Sequence, residues 1–259
     1  MPNVDTHSNG SFSWIELGTS DQNAAKDFYT ALFGWTFEDS PMGPDDFYTM
    51  FQLEGRNCGA AYTLRPQETS MGVPPHWNLY VSVASADETA KKAEEAGGKL
   101  LAPPFDVYSF GRMAVIQDPT GAVIEIWEAK DHIGAGIVGQ SGTLCWADLS
   151  TPDAATGSEF YTEVFGWTYT AGKDDYRHIK NGEEFIGGIP PAAYRDPNMP
   201  PHWMIYIAVD DCDASTAKAR DLGANICMGP ITIEKTGRMS VLADPQGAVL
   251  ALFQPFPRE

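Results

Sequence analysis

The chain has 259 residues, 43% hydrophobic and 20% charged, and its 35 acidic against 17 basic residues give a formal charge of −18. That length suffices for two ordinary domains with proper cores, and that charge repels phosphate backbones and excludes nucleic acid as an expected partner. No apolar run approaches the ~20 residues of a membrane span, the polar start MPNVDTHSNGS has no secretory h-region, and Cys58, Cys145, Cys212 and Cys227 show no CxxC or metal-type spacing, so a reduced, cytoplasmic protein without a membrane partner is expected.

The first predicted element is a strand, SFSWIEL at 11–17, from its alternation. A helix follows. Asp21 can cap it, Ala24, Ala25, Phe28, Leu32 and Phe33 recur at helical spacing, and Gly34 is a natural stop. FYTMFQL (47–53) and CGAAYTL (58–64) read as short strands, and HWNLYVSV (76–83) as another. DETAKKAEEAGG (87–98) reads as a helix with Asp87 as its cap. KLLAPPFDV, RMAVIQD and AVIEIWE complete the set, with Asp118-Pro119-Thr120-Gly121 as the turn before the last strand. The stretch DHIGAGIVGQSG (131–142) is glycine-rich and without periodicity, and reads as a linker.

Beyond it the pattern repeats. WIELGTSDQNAAKDFYTALFGWTF at 14–37 is answered by WADLSTPDAATGSEFYTEVFGWTY at 146–169, an offset of 132. PPHW (74–77 and 200–203), GRM (111–113 and 237–239) and DPTGAV/DPQGAV (118–123 and 244–249) repeat at an offset of 126. Colinear self-similarity of this kind marks a duplicated domain. The expected architecture is α+β, with four βαβββ modules in two domains: residues 1–130, a linker at 131–142, and residues 143–259.

The segments AAKDFYTALFGW, VSVASADETAKKAEEAGGKL and GRMAVIQDPTGAVIEIWE resemble the vicinal oxygen chelate superfamily, which includes glyoxalase I, bleomycin-resistance proteins and extradiol dioxygenases. The resemblance spans nearly the whole chain and is similar to the tandem two-domain glyoxalase-like proteins. It implies paired modules whose sheets curve into an open cleft, which in the active enzymes holds a divalent metal. The implied ligand positions fall on Trp14 and Trp146, on the stretch around Ala60–Ala61 and its bare counterpart, on Asn78 and Met204, and on Glu125 and Ala251. One carboxylate does not hold a divalent ion that needs three or four donors. No metal or other cofactor is expected, with a divalent metal as the alternative.

Strand alternation then assigns the cleft-facing side chains. They are Trp14, Glu16, Asn78, Tyr80, Glu125 and Trp127 in the first copy, and Trp146, Asp148, Met204, Tyr206, Ala251 and Phe253 in the second. Such a lining suits a flat, mostly apolar small molecule with a donor or cationic group. Glu125 and Glu16 are the candidate catalytic acids, since burial beside a like charge raises a carboxyl pKa. A structural reading pairs the acids with Arg112 and Arg238. His76 and His202 sit at the rim, either bonding a loop carbonyl, contacting ligand or serving as displaced metal ligands. His178 reads as an exposed strand residue. The expected function is binding of a small, partly aromatic molecule by a monomer or homodimer. The alternatives are a glyoxalase-type lyase or isomerase acting on an α-oxoaldehyde adduct, and a metal-dependent dioxygenase or hydroxylase.

Overall fold

In the computed structural model, which describes residues 3–44 and 46–257, the opening alternating segment forms β1 (Phe12–Thr19) and the amphipathic segment forms α1 (Gln22–Phe33). Asp21 accepts from the Ala24 amide to cap α1, and Gly34 ends it at φ 73°, a left-handed conformation that favours glycine. β2 (Thr36–Gly43), β3 (Asp46–Leu53) and β4 (Arg56–Thr63) complete the first module. A short α2 (Pro66–Ser70) leads to β5 (His76–Ser82), α3 (Ala86–Glu95), β6 (Lys99–Val107), β7 (Gly111–Gln117) and β8 (Val123–Ala129). The cap of α3 is Ser85, which accepts from the Glu88 amide; Asp87 lies in the first turn and pairs with Arg112.

The second half repeats the order. It comprises β9 (Leu144–Ser150), α4 (Ala154–Phe165), β10 (Thr168–Ala171), β11 (Arg177–Asn181), β12 (Glu184–Ile189), β13 (His202–Ala208), α5 (Cys212–Asp221), β14 (Asn225–Ile233), β15 (Gly237–Ala243) and β16 (Val249–Pro255). Each half is one eight-stranded sheet, ordered β2-β3-β4-β1-β5-β8-β7-β6 and β10-β11-β12-β9-β13-β16-β15-β14. Consecutive modules therefore pair, joined by the antiparallel contact of β1 with β5 and of β9 with β13.

The period of two separates the faces of the sheet. On the convex side Ile15, Leu17, Trp77, Leu79, Val81, Ile124 and Ile126 join a main core that runs through both halves. On the concave side Trp14, Tyr80 and Trp127 form a separate cluster, as Tyr206, Met239 and Ala251 do in the second half. The convex faces meet where β5 touches β13, flanked by α1 against α5 and α3 against α4.

This meeting is built from one buried bond used twice. Tyr29 of α1 donates to Asp244 Oδ2 at 2.8 Å, and Tyr161 of α4 donates to Asp118 Oδ2 at 3.0 Å. Each hydroxyl also accepts from an indole of its own half, Trp77 at 3.2 Å and Trp203 at 2.9 Å. The other oxygen of Asp118 and of Asp244 accepts three backbone amides of its own turn. The repeated Asp-Pro-x-Gly motif is thus a turn, as its residue types imply, and also the anchor for the opposite half. The linker is packed rather than loose. The Ala135 amide donates to Ser13 O at 2.7 Å, and Gly134, Ala135, Gly136 and Ile137 are buried.

Candidate functional site

The three central strands of the first sheet bring the candidate residues together. Register places Glu16 opposite Asn78, Trp14 opposite Tyr80, and Tyr80 opposite Glu125. The Tyr80 hydroxyl donates to Glu16 Oε2 at 2.9 Å. Burial raises the Glu16 pKa from its ordinary value, opposed by hydrogen bonding from Tyr48, Tyr80 and Asn78. Glu125 lies deeper, 4% exposed, and its Oε2 has no hydrogen-bond partner among the described residues. Burial first, and the Glu16 carboxyl second, push Glu125 up to about 8. Trp127 anchors the far wall by donating to His132 O at 2.8 Å. The His132 ring meets Trp14 edge-on with centroids 4.8 Å apart, so the linker packs against this wall.

The second sheet carries a shorter and more enclosed version. Asp148, 5% exposed, accepts from Tyr176 at 2.6 Å, from Tyr206 at 2.8 Å and from the Trp146 indole at 2.9 Å. Burial raises its pKa, and those three donors oppose the rise. The Tyr176 ring crosses β12 where Gly188 has no side chain; a Cβ there would fall 1.8 Å from the hydroxyl oxygen. Ala251 replaces the second acid, and Met204 and Phe253 are half-buried on the same face. A depression of about 450 Å³ at the sheet edge is lined by Tyr176, Pro190, Pro191, Ala192 and Ala193.

Several expectations need correction. Arg112 does not pair with Glu16; it lies on the convex side and holds Asp87 at 2.7 Å and Asp106 at 3.5 Å. Arg238 likewise holds Asp213 rather than Asp148. His178 is not an exposed strand residue. It is half-buried on β11, its ring 4.8 Å from Tyr176 and 6.3 Å from Trp146. His76 and His202 each turn Nδ1 to the carbonyl two residues earlier, Pro74 O and Pro200 O, both at 2.8 Å. Sequence reasoning missed Tyr48 on β3, Tyr176 just before β11, and Tyr62, which donates to Glu68 Oε1 at 2.9 Å. The signal for the first two was a tyrosine recurring at an offset of 128, between the offsets of the flanking motifs.

The donors do not fit the superfamily's divalent ion. An indole N–H only donates, so Trp14 and Trp146 offer nothing to a cation at the first ligand position. Among the described residues, no group of three or more His, Cys, Asp or Glu side chains gathers so as to hold a metal ion.

Comparison with known proteins agrees with this architecture. The family model described as the Glyoxalase/Bleomycin resistance protein/Dioxygenase superfamily matches residues 11–126 and 143–252. "Putative glyoxylase CFP32" of Mycobacterium tuberculosis (strain CDC 1551 / Oshkosh) is 40% identical over 266 residues, covering 100% of each chain. The anthracycline biosynthesis protein DauV of Streptomyces sp. (strain C5) is 32% identical, covering 96% of this chain and 95% of its own. Among solved structures, a Mn(II)-bound glyoxalase from Novosphingobium aromaticivorans shares the fold with a TM-score of 0.66 at 17% identity, covering 98% of this chain and 83% of that one.

Proposed function

Because the chain belongs to the glyoxalase/bleomycin resistance protein/dioxygenase superfamily in both its halves, we propose that it binds a small, flat, partly aromatic molecule on its concave faces without the superfamily's divalent ion. One observation carries the reading. On each concave face one carboxylate, Glu16 or Asp148, accepts from tyrosine among indole rings, where a metal-binding member would present its donors. Aromatic rings give a planar ligand a large contact area, and the carboxylate gives it one polar fix. The similarity to a protein named for anthracycline biosynthesis supports the shape, since an anthracycline carries fused planar rings.

The test is a pair of measurements on protein purified without chelator. Elemental analysis returns well under one equivalent of transition metal, and added acridine quenches tryptophan fluorescence equally with and without EDTA. About one tightly held metal ion per chain, or no binding of the dye, overturns the proposal.

The raised pKa of Glu125 favours a second reading, a glyoxalase-type lyase or isomerase with Glu125 as its acid–base group. That reading predicts turnover of methylglyoxal–thiol adducts, abolished in Glu125→Gln; absence of turnover with divalent metals supplied sinks it. An oxygenase centre of two histidines and one carboxylate has no such triad to build on among the described residues.

A further inference from the structure

The two concave faces differ in what they leave unsatisfied. Glu16 is half-buried, and the groups acting on it are Tyr48 from β3, Asn78, Tyr80 and His76 from β5, and the Glu125 carboxyl from β8. No lysine or arginine is among them in the described residues. Arg65, whose guanidinium lies 5.7 Å from the Tyr62 ring centroid, is paired with Asp46 at 2.6 Å. Below Glu16 lies Glu125, more than nine-tenths buried on the same concave face, with Oε2 lacking a partner. The half-buried rings of Tyr48 and Tyr62 stand beside Glu16, and Asn78 reaches the Tyr62 hydroxyl at 3.5 Å. Two acids without a countercharge, rimmed by phenol rings, are what an organic cation requires. The carboxylate supplies the charge, and the ring quadrupoles supply a cation–π surface.

The second face keeps Tyr176 in the place of Tyr48 and an acid in the place of Glu16, and has lost the rest. Asp148 is one methylene shorter than Glu16 and takes the Trp146 indole as its third donor, where Glu16 faces Asn78 and the Trp14 indole turns to Tyr48 instead. Met204 stands for Asn78, Pro190 for Tyr62 and Ala251 for Glu125.

We propose that the concave face of the first half alone selects a planar aromatic ligand bearing a positively charged nitrogen, seated beside Glu16 against the rings of Tyr48 and Tyr62. This rests on the reading that the concave faces take flat aromatic molecules. It adds the charge of the ligand, the residue that reads it and the half that does so.

The probes are N-methylacridinium, a permanent cation, and acridine, its neutral isostere at pH 8. They are titrated into the full chain at about 0.5 M salt, where the Debye length of about 4 Å removes the pull of the overall charge. The cation is expected to bind with one preferred site per chain, about ten-fold or more tighter than acridine. Glu16→Gln is expected to abolish the preference, bringing the cation to the affinity of acridine for the same variant. Asp148→Asn is expected to leave the preference intact, and circular dichroism of each variant confirms its fold. Equal affinity for the two dyes, two equivalent cation sites, or a preference that survives Glu16→Gln overturns the inference and leaves the binding reading standing. Failure of both dyes to bind overturns both.

Discussion

At the scale of the residue, Glu125 sets a pH dependence with a definite sign. Its pKa is raised to about 8 by burial and by Glu16. Above the ordinary glutamate pKa of about 4.5 the unfolded chain gives up this proton while the folded chain keeps it. The stabilisation is therefore complete below about pH 4.5 and is lost as pH rises to 8, at up to about 1.4 kcal/mol per pH unit. Glu16 is shifted the same way and adds to the slope. Urea unfolding at pH 5.5, 7 and 8.5 is expected to show falling stability, and Glu125→Gln is expected to flatten the trend. An unchanged slope in the variant refutes the assignment. Most of the concave residues were legible from alternation alone, because a strand's period of two leaves each side chain one face to occupy. The same rule also excludes the arginine pairing. Met113 faces Trp127 on the concave side, so its neighbour Arg112 must point the other way. Tyr48 stayed hidden because its contact with Trp14, at 3.3 Å, reaches from β3 across β4 to β1, and no local pattern encodes that.

At the scale of the element, helices were the most legible. α1 begins and ends at the residues its cap and its left-handed glycine dictate. α3 begins two residues earlier than its acidic residues suggest, because Ser85 takes the cap and frees Asp87 for Arg112. β2 escaped notice because it is exposed along nearly its whole length and carries no alternation. It is fixed instead by pairing with β3 and by Lys26 of α1, which bonds Asp39 at 2.8 Å. The contact of α1 with the opposite half predicts a measurable loss. Tyr29→Phe removes a buried donor to Asp244 and the acceptor for Trp77. A destabilisation of about 1–3 kcal/mol by chemical denaturation is expected. If Tyr29→Phe costs nothing, the bond is not a determinant of the junction.

At the scale of the whole molecule, the duplication was written in the sequence, but the way the copies share a core was not. Self-similarity reports that a unit recurs, while the surface it buries depends on residues far apart in the chain. Phe12 of the first half packs edge-on against Trp167 and Trp203 of the second, with centroids 5.5 and 5.6 Å away. Trp167 donates across the halves to Gly10 O, and Trp35 donates to Gly142 O at the end of the linker, each at 2.8 Å. Such a shared core predicts one cooperative unfolding transition, coincident by tryptophan fluorescence and far-ultraviolet circular dichroism. Two separated transitions refute it.

The reciprocal bonds of Tyr29 to Asp244 and of Tyr161 to Asp118 have the form of a self-complementary dimer contact, in which one residue meets a second and the second's twin meets the first's twin. Between separate subunits such a contact obeys mass action and weakens on dilution. Here both partners are on one chain, tied through a packed linker, so the pairing is a property of the single molecule. At nanomolar protein the halves stay together as they do at millimolar, and each is free to change its concave face without also changing its twin's.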